Sequence, residues 1–382
     1  MSVNPMTRHA RCRAAIAGEP VDRAPAYLPG ISCAVASRLL GRPVHAGTGS
    51  LHYAEACAWM RGASAHAEFE AQLYDDLATI FRALDIDVYR MPWRMRAQPA
   101  RQLNEYTFLY GEPDGAHTIY RYNPHSTDFG PIASAGGSAE PYEVQLPRLL
   151  EAREAAIASG SLADVAITDE HRTLCARFGE EFFVLCEGGG ISVGWGEEPL
   201  MLMASAPALM QRDVMIQARH ALALGQALAQ SGFPRVLVAG GDMAGNDGPF
   251  YSPRNFREVM LPALSWLMHG LAACGVHYIF RSDGNLWPVA DMLFGEAACP
   301  GYGEVDRDAG MTTARLRVRY PKLVIWGNMS VSQLASHSPV WVREEAQAMI
   351  EESAGSGYFH GPSNAILGDT PVENMVAFFG VR

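Results

Sequence analysis

Residues 236–285 read VLVAGGDMAGNDGPFYSPRNFREVMLPALSWLMHGLAACGVHYIFRSDGN, and this stretch decides the fold class. A short apolar run at 236–239 ends in Gly-Gly-Asp at Asp242, and a second apolar run ends in Arg281-Ser282-Asp283-Gly284. A serine–proline pair between the runs is typical of a helix start. This order predicts two parallel strands joined by a helix. In parallel α/β folds, ligands bind at the carboxyl ends of the strands, where these ionisable residues lie.

The same alternation of strand-like and helix-like runs extends over most of the 382 residues. We predict one domain over 1–382, an α/β fold of the (β/α)8 TIM-barrel type, with a doubly wound open sheet as the alternative. Trp195 and the methionines around 201–215 are predicted to belong to the core. The predicted strands are 24–29, 86–91, 182–186, 236–239, 277–280, 301–305, 323–326 and 357–359.

One segment departs from this alternation. Residues 105–110 (EYTFLY) and 117–122 (HTIYRY) are aromatic and β-branched, and a Glu-Pro-Asp-Gly sequence lies between them. This pattern predicts a β-hairpin inserted at 105–122. Residues 123–138 are rich in Gly, Ser and Pro, and we expect them to form a loop.

Composition limits the classes of function. The net charge of −11 argues against nucleic acid as a partner, because phosphate binding needs a basic face. No apolar run is long enough for a membrane span, and the first 20 residues lack the apolar region of a secretory signal. Seven scattered cysteines fit reduced thiols rather than a disulfide framework. We therefore expect a cytoplasmic protein without membrane or nucleic-acid partners.

Four motifs resemble one known family. The order AGGDMAGNDGPFYSP, RSDGN, WGNMS and GPSNAILGDTPVENMVAF is similar to the uroporphyrinogen decarboxylase superfamily, which also contains corrinoid and coenzyme M methyltransferases. The segment GEPVDRAPAYLPG resembles the amino-terminal part of its decarboxylase-like members. This resemblance implies a (β/α)8 barrel with its site at the carboxyl mouth, and it is compatible with a homodimer.

Departures from the family pattern argue against one of the family's substrates and one of its metal sites. Residues 26–32 (AYLPGIS) lack the arginines that grip the carboxylates of uroporphyrinogen, which argues against that substrate. The zinc-binding His-x-Cys and Cys of the thiol methyltransferases correspond to Arg281, Asp283 and approximately Asn364, so a zinc–thiolate site of that kind is not encoded. The chain most resembles an uncharacterised branch with Ser-Asp-Gly-Asn at the fifth strand, although Asn364 stands where that branch has a histidine.

Residues at the predicted strand ends are the candidates for function, although each could instead cap a helix or brace a loop. Carboxylates and an imidazole suit proton transfer or a metal such as zinc, and an arginine suits an anionic substrate. The catalytic candidates are Asp242, Asp283, Glu187 and His360. The candidates for substrate binding are Arg281, Asn328, Tyr89, Arg90, Trp93, Asn364 and Tyr27. The candidate metal ligands are Asp242, Asp283, Glu304 and His360.

The resemblance and these candidates lead to three hypotheses of function. The first is a methyl (C1-group) transferase or demethylase on a small anionic substrate, with a corrinoid partner protein or tetrahydrofolate as carrier. The second is a decarboxylase, a lyase without a cofactor, that acts on a small carboxylic acid. The third is a non-catalytic binding barrel.

Overall fold

A computed structural model describes residues 5–138, 140–159, 167–194, 196–353 and 357–381. Helices and strands alternate, which confirms the α/β class. Trp195 lies outside the described residues. The strands are β1 (Val88–Tyr89), β2 (Arg101–Asn104), β3 (Thr107–Gly111), β4 (His117–Tyr122), β5 (Phe129–Ala135), β6 (Phe183–Val184), β7 (Cys186–Glu187), β8 (Val236–Gly240), β9 (Ala244–Gly245), β10 (Gly248–Pro249), β11 (His277–Arg281), β12 (Gly301–Gly303), β13 (Val324–Trp326) and β14 (Tyr358–Phe359).

Helices lie between most of the parallel strands. Two π-helical turns, Phe256–Met260 and Asp291–Glu296, interrupt the α-helical pattern. The α-helices are α1 (Arg8–Ala17), α2 (Cys33–Leu40), α3 (Thr48–Met60), α4 (Ala63–Ala83), α5 (Tyr142–Ala158), α6 (Asp169–Phe178), α7 (Glu197–Ser205), α8 (Pro207–Ser231), α9 (Pro253–Asn255), α10 (Leu261–Ala273), α11 (Thr313–Arg319), α12 (Val331–Ser336), α13 (Pro339–Glu352) and α14 (Val372–Phe379).

The central sheet has six parallel strands in the order β14-β13-β12-β11-β8-β7. A separate parallel pair, β1 and β6, leads into β7 through Leu185, whose N–H donates to the Tyr89 carbonyl at 3.0 Å. The predicted strand at 24–29 has a single bridge, between Ala26 and His360. The Ala26 carbonyl oxygen accepts a hydrogen bond from the Asp87 N–H at 2.9 Å. Segment 24–27 therefore lies between β1 and β14.

Buried ion pairs hold this first segment in place. The Asp87 side chain is fully buried, and it accepts from Arg11 Nη1 at 2.5 Å, from Arg23 Nη1 at 2.9 Å and from the Ala26 N–H at 2.8 Å. Arg11 also contacts Asp22 through Nε at 2.7 Å. One carboxylate thus connects helix α1, segment 24–27 and the start of β1.

The inserted hairpin belongs to a larger antiparallel sheet, in the order β2-β3-β4-β5. Strands β3 and β4 confirm the hairpin at 105–122. The loop expected at 123–138 is wrong over Phe129–Ala135, which forms β5. Its Gly, Pro and Ser residues have low strand propensity. The strand forms because β4 supplies hydrogen-bond partners and the Phe129 ring stacks on Tyr120, with ring centroids 5.7 Å apart.

The predicted helix start in the first-quoted stretch is confirmed. Ser252 Oγ accepts from the Asn255 N–H at 3.1 Å, and Pro253 occupies the first helical position. Helix α10 then packs on α8, and this pair covers the outer face of strands β8 and β11. Among the described residues, no helix combines the length and the apolar character that a bilayer crossing needs.

Candidate active site

Three carboxylates converge at the carboxyl ends of neighbouring strands. Asp242 follows β8, Asp283 follows β11 and Glu304 follows β12. These strands are parallel and adjacent, so their ends meet at one edge of the sheet. Oxygen atoms of the three side chains lie within 4.8 Å of one another. The structure thus brings together three of the four residues predicted as metal ligands.

Glu304 is the most constrained member of this acid cluster (Asp242, Asp283 and Glu304). It is buried, and its backbone has a φ of 60°, a left-handed conformation that is uncommon for a residue with a side chain. Its Oε1 accepts from Arg281 Nε at 2.8 Å and from Arg281 Nη2 at 2.6 Å. Such conformations cost about 1–3 kcal/mol and persist where the surroundings impose them. Here the ion pair holds the carboxylate inside the cluster.

Asp283 has an unusual protonation equilibrium. Burial is the largest cause that raises its pKa, and the nearby carboxylates of Glu304, Asp242 and Asp306 raise it further. Arg281 opposes these effects only in part, and the pKa of Asp283 is about 7. Its Oδ2 accepts a hydrogen bond from Asn364 Nδ2 at 2.8 Å. At neutral pH, therefore, this carboxyl group exists in both its protonated and its ionised form.

The partner of Arg281 is Glu304 rather than Asp283. Burial alone would lower the pKa of Arg281, but the carboxylates of Glu304 and Glu187 outweigh burial and raise it. A guanidinium engaged in this way has fewer donors for a substrate. To bind an anionic substrate as predicted, Arg281 would therefore have to break its ion pair with Glu304.

A second ion pair borders the cluster. Glu187, the last residue of β7, pairs with Arg90 Nε, and Arg90 Nη1 lies 3.9 Å from Glu304 Oε1. Glu187, predicted as a catalytic residue, and Arg90, predicted to bind substrate, thus form an ion pair beside the cluster. Together the two pairs and the two aspartates place four carboxylates against two guanidinium groups.

The loops that present the cluster depend on close backbone contacts. Gly284 has a φ of 83°, and a Cβ atom there would lie 2.5 Å from the Ala244 carbonyl oxygen. Ser282 Oγ accepts from the Met243 N–H at 3.1 Å, and the Gly284 N–H donates to Asp306 at 3.1 Å. These contacts hold the loop after β8 against the loop after β11.

His360, predicted as a catalytic residue and metal ligand, does not join the cluster. Its ring is fully buried, its Nε2 lies 3.1 Å from the Phe378 carbonyl oxygen, and it stacks on the Phe378 ring with centroids 4.1 Å apart. Its Nδ1 lies 3.4 Å from the Tyr358 hydroxyl. The side chain therefore packs against α14, where it contributes to the core.

We expect His360→Ala to lower the free energy of unfolding by about 2 kcal/mol or more, because it removes a buried ring and a hydrogen bond. Activity per folded molecule should change less than about twofold, since the residue does not carry the proton that the reaction uses. Urea denaturation and a specific-activity measurement on the folded fraction check both values. Loss of activity at unchanged stability would contradict this assignment.

Three further candidates for substrate binding are also buried in structural contacts. Tyr89 is fully buried, and its hydroxyl donates to the Tyr74 carbonyl at 2.9 Å. Tyr27 is buried and donates to the Pro362 carbonyl at 3.0 Å. Asn328 is buried and donates to the Met311 carbonyl at 3.1 Å. Period-two alternation along a strand could not show which face these side chains would occupy.

Trp93 is accessible to a ligand. Its side chain is 72% exposed, and its ring meets His52 edge-on with centroids 4.5 Å apart. It follows β1, whose parallel partner β6 leads into β7 and Glu187. Of the predicted aromatic candidates, Trp93 alone is exposed, since Tyr27 and Tyr89 are buried.

Sequence reasoning missed two features. Asp306 lies two residues after Glu304, and the strand-end argument could have found it. The other feature is a second cluster of Glu55, His66 and Glu70, in which Arg94 Nη2 lies 2.5 Å from Glu70 and 3.3 Å from Glu55. Its members come from α3, α4 and the segment after β1, so no local pattern could have revealed it.

Comparisons with known proteins agree with this architecture. The family model described as Uroporphyrinogen decarboxylase (URO-D) matches residues 184–382, more than half of the chain. Among solved structures, a methyltransferase from Methanosarcina mazei is similar, with a TM-score of 0.61 and 17% sequence identity over 98% of each chain. At that identity the likeness concerns the fold. No curated protein sequence matches the chain.

Proposed function

Because the chain belongs to the uroporphyrinogen decarboxylase family, we propose that it is a methyltransferase or demethylase that acts on a small molecule at the acid cluster. The observation that carries this proposal is the convergence of Asp242, Asp283 and Glu304 at the carboxyl ends of adjacent strands. Sites of parallel α/β enzymes lie at this edge.

A closed (β/α)8 barrel is part of the proposal. It is supported by the hydrogen bonds of segment 24–27, which pairs with His360 on one side and with Asp87 on the other. With β1, β6–β7, β8, β11, β12, β13 and β14, this segment would complete a ring of eight strands. Such a ring would surround the base of the acid cluster with apolar side chains.

In the proposed reaction, Asp283 provides the proton. When the bond between a methyl group and a heteroatom breaks, the heteroatom keeps the electron pair and needs a proton unless it leaves as an anion. A carboxyl group with a pKa of about 7 holds such a proton at neutral pH, and a general acid works best when its pKa is near the working pH. A corrinoid on a partner protein, or tetrahydrofolate, would accept the methyl group.

The charges of the site indicate which charge the reacting end of the substrate can carry. The two guanidinium groups near the cluster are paired with Glu304 and Glu187, while Asp242 and Asp283 have no arginine partner within salt-bridge distance among the described residues. A carboxylate or phosphate of a substrate would meet a surplus of negative charge here. We therefore propose a neutral reacting end, in place of the anionic substrate expected from Arg281 alone.

The acid cluster contains no thiolate, so it does not fit a zinc–thiolate centre. Three carboxylates can hold a divalent cation such as zinc or manganese. In this structure, however, Arg281 already neutralises Glu304. The residues thus fit a metal only after this guanidinium moves away, and the proposed proton transfer does not depend on one.

We expect Arg281→Ala to increase the affinity for Mn²⁺ by at least about tenfold over wild type, because it removes a positive charge next to three carboxylates. Isothermal titration calorimetry measures this change. Arg315→Ala, which removes an arginine that lies over Trp287 away from the cluster, is the matched control and should leave Mn²⁺ affinity unchanged. A wild-type protein that binds one equivalent of Mn²⁺ tightly would show that Arg281 does not occupy the cation position.

The proposed function is tested with ¹³C-methyl-labelled ethers, thioethers and amines. Each compound is incubated with the protein and either tetrahydrofolate or a purified corrinoid protein, and NMR follows the labelled methyl group. We expect the label to move to one carrier, with the demethylated product formed in equal amount. Absence of transfer from every donor class to both carriers would contradict the proposal.

The second candidate is decarboxylation of a small carboxylic acid. The protonated Asp283 favours it because it can supply the proton, but the surplus of negative charge opposes binding of the reacting carboxylate, so this reaction ranks below methyl transfer. When the bond to the carboxylate carbon breaks, the remaining carbon keeps the electron pair and takes up a proton, while CO₂ leaves. Release of CO₂ without any carrier would select this reaction. If the wild-type protein, with Asp283 intact, catalyses neither reaction, that result would favour the non-catalytic binding barrel.

The homodimer, the corrinoid partner and the cytoplasmic location stay predictions.

A further inference from the structure

A cavity of about 540 Å³ opens beside the acid cluster. Glu187 lies on its wall next to the ion pair with Arg90, and Trp93, Arg94, Glu170, His220 and Leu224 are among the other residues that line it. Its size is in the range of small-molecule sites. The cavity therefore adjoins the site described above but has its own walls, which come from the segment after β1, from α6 and from α8.

Two residues that line this cavity, Arg94 and His220, carry buried side-chain nitrogens without hydrogen-bond partners. Arg94 is 6% exposed, and its Nη2 is engaged by Glu70 and Glu55. Its Nε and Nη1 are buried and have no hydrogen-bond partner among the described residues, and the same holds for His220 Nε2. Buried polar groups are normally paired, and an unpaired one is costly. A ligand in the cavity that supplies acceptors would satisfy these nitrogens once the two side chains turn towards it.

The charges around the cavity balance. Arg94 and Arg96 line it together with Glu170 and Glu187, and Arg96 Nη2 lies 2.6 Å from Glu170. An anionic ligand would meet the two glutamates, and a cationic ligand would meet the two arginines. A neutral group that has an acceptor beside a donor can satisfy both. Its acceptor would take a hydrogen bond from Arg94 or His220, and its donor would give one to a glutamate.

The rest of the wall is apolar. Met91, Leu174, Leu185 and Leu224 line the cavity, and the exposed ring of Trp93 lies on its rim. The turn at Gly188 and Gly189 adds no side chain, and a Cβ at Gly188 would come within 3.0 Å of Leu224. These surfaces suit a small apolar or aromatic body.

We propose that this cavity binds the non-reacting end of the substrate as a carboxamide or lactam group on a small apolar body. The assignment to a substrate rests on the proposed function, because it assumes that the reacting end meets Asp283. Arg94 and His220 are binding residues in this proposal. The reacting end and the recognised end then lie on opposite sides of the pair formed by Glu187 and Arg90.

Three probes of nearly equal size test the ligand class: benzamide, benzoate and benzylamine. We expect calorimetry near neutral pH to show that benzamide binds at least about tenfold more tightly than either charged analogue, because only the amide leaves no wall group facing a like charge. Benzoate or benzylamine binding as tightly as benzamide would overturn the proposed class.

Variants test the location. We expect His220→Ala to weaken benzamide binding by about tenfold and Leu224→Trp to abolish it by filling the cavity. The control His269→Ala removes an exposed histidine from α10 and should bind benzamide as wild type does. Circular dichroism confirms that the variants fold. Unchanged binding in both cavity variants would overturn the site. Benzamide binding is measured without a methyl carrier, so it can be observed even if methyl transfer fails. Conversely, methyl transfer without benzamide binding would contradict the cavity assignment alone.

Discussion

Asp283→Asn is expected to lower kcat at pH 7 by about 10²–10⁴-fold, the usual contribution of a general acid. The amide keeps the shape of the side chain and can still contact Asn364, but it cannot give up a proton. The activity is measured with whichever methyl donor the labelled panel identifies. Asp247→Asn, a change at an exposed aspartate in the loop after β8, is the matched control and should keep wild-type kcat.

The pH dependence of the wild-type enzyme has a defined direction. Asp283 is protonated below its pKa of about 7 and ionised above it. A reaction that takes its proton should therefore slow as the pH rises through about 7, with a tenfold decrease for each further pH unit. A pH–rate profile that rises through this range would mean that Asp283 acts as a base.

Stability provides a second measurement that needs no substrate. Because the pKa of Asp283 is raised on folding, from an ordinary value of 3.8 to about 7, the folded state binds its proton more tightly than the unfolded state does. This contribution to the free energy of unfolding is present at low pH, decreases between about pH 4 and pH 7, and is lost above the folded pKa. Asp283→Asn should remove this slope and raise the Tm at pH 8. A variant with the wild-type slope would show that the group does not titrate as described.

Strand ends were the most predictable part of the molecule. An apolar run followed by a polar residue is a local signal, and parallel pairing brings such ends together, so Asp242, Asp283 and Glu304 could be predicted as neighbours. The same reasoning failed at His360, because the sequence does not show whether a strand residue faces the mouth or the helix outside. There the ring of Phe378, 18 positions away, determines the environment.

Other features depend on contacts that no local pattern contains. Strand β5 forms from weak strand formers because β4 offers it hydrogen bonds. Arg281 pairs with Glu304 rather than with Asp283, and Glu304 adopts a left-handed backbone that is uncommon for that residue type. Arg94 and His220 meet at one cavity although 126 positions separate them. Such arrangements follow from the packing of whole elements.

Asp87→Asn is expected to lower the free energy of unfolding by about 3–5 kcal/mol, the usual cost of removing one partner from a buried ion pair. Asp87 is fully buried between Arg11, whose side chain is 6% exposed, and Arg23. An asparagine can turn its oxygen towards only one guanidinium, so its NH₂ group would face the other donor. Domains of this kind are stabilised by only about 5–15 kcal/mol, so the loss would be a large fraction of the total.

The neighbouring Asp85→Asn is the matched control. Asp85 pairs with Arg8 at 2.9 Å and with Arg23 at 3.0 Å, but its side chain is 54% exposed. Exposed pairs contribute about 0–1 kcal/mol, so this variant should unfold close to the wild-type urea midpoint. The difference between the two variants isolates burial, because Arg23 is a partner of both aspartates. Equal effects would mean that Asp87 does not hold segment 24–27 against β1, and the proposed closure of the barrel at this position would lose its main electrostatic support.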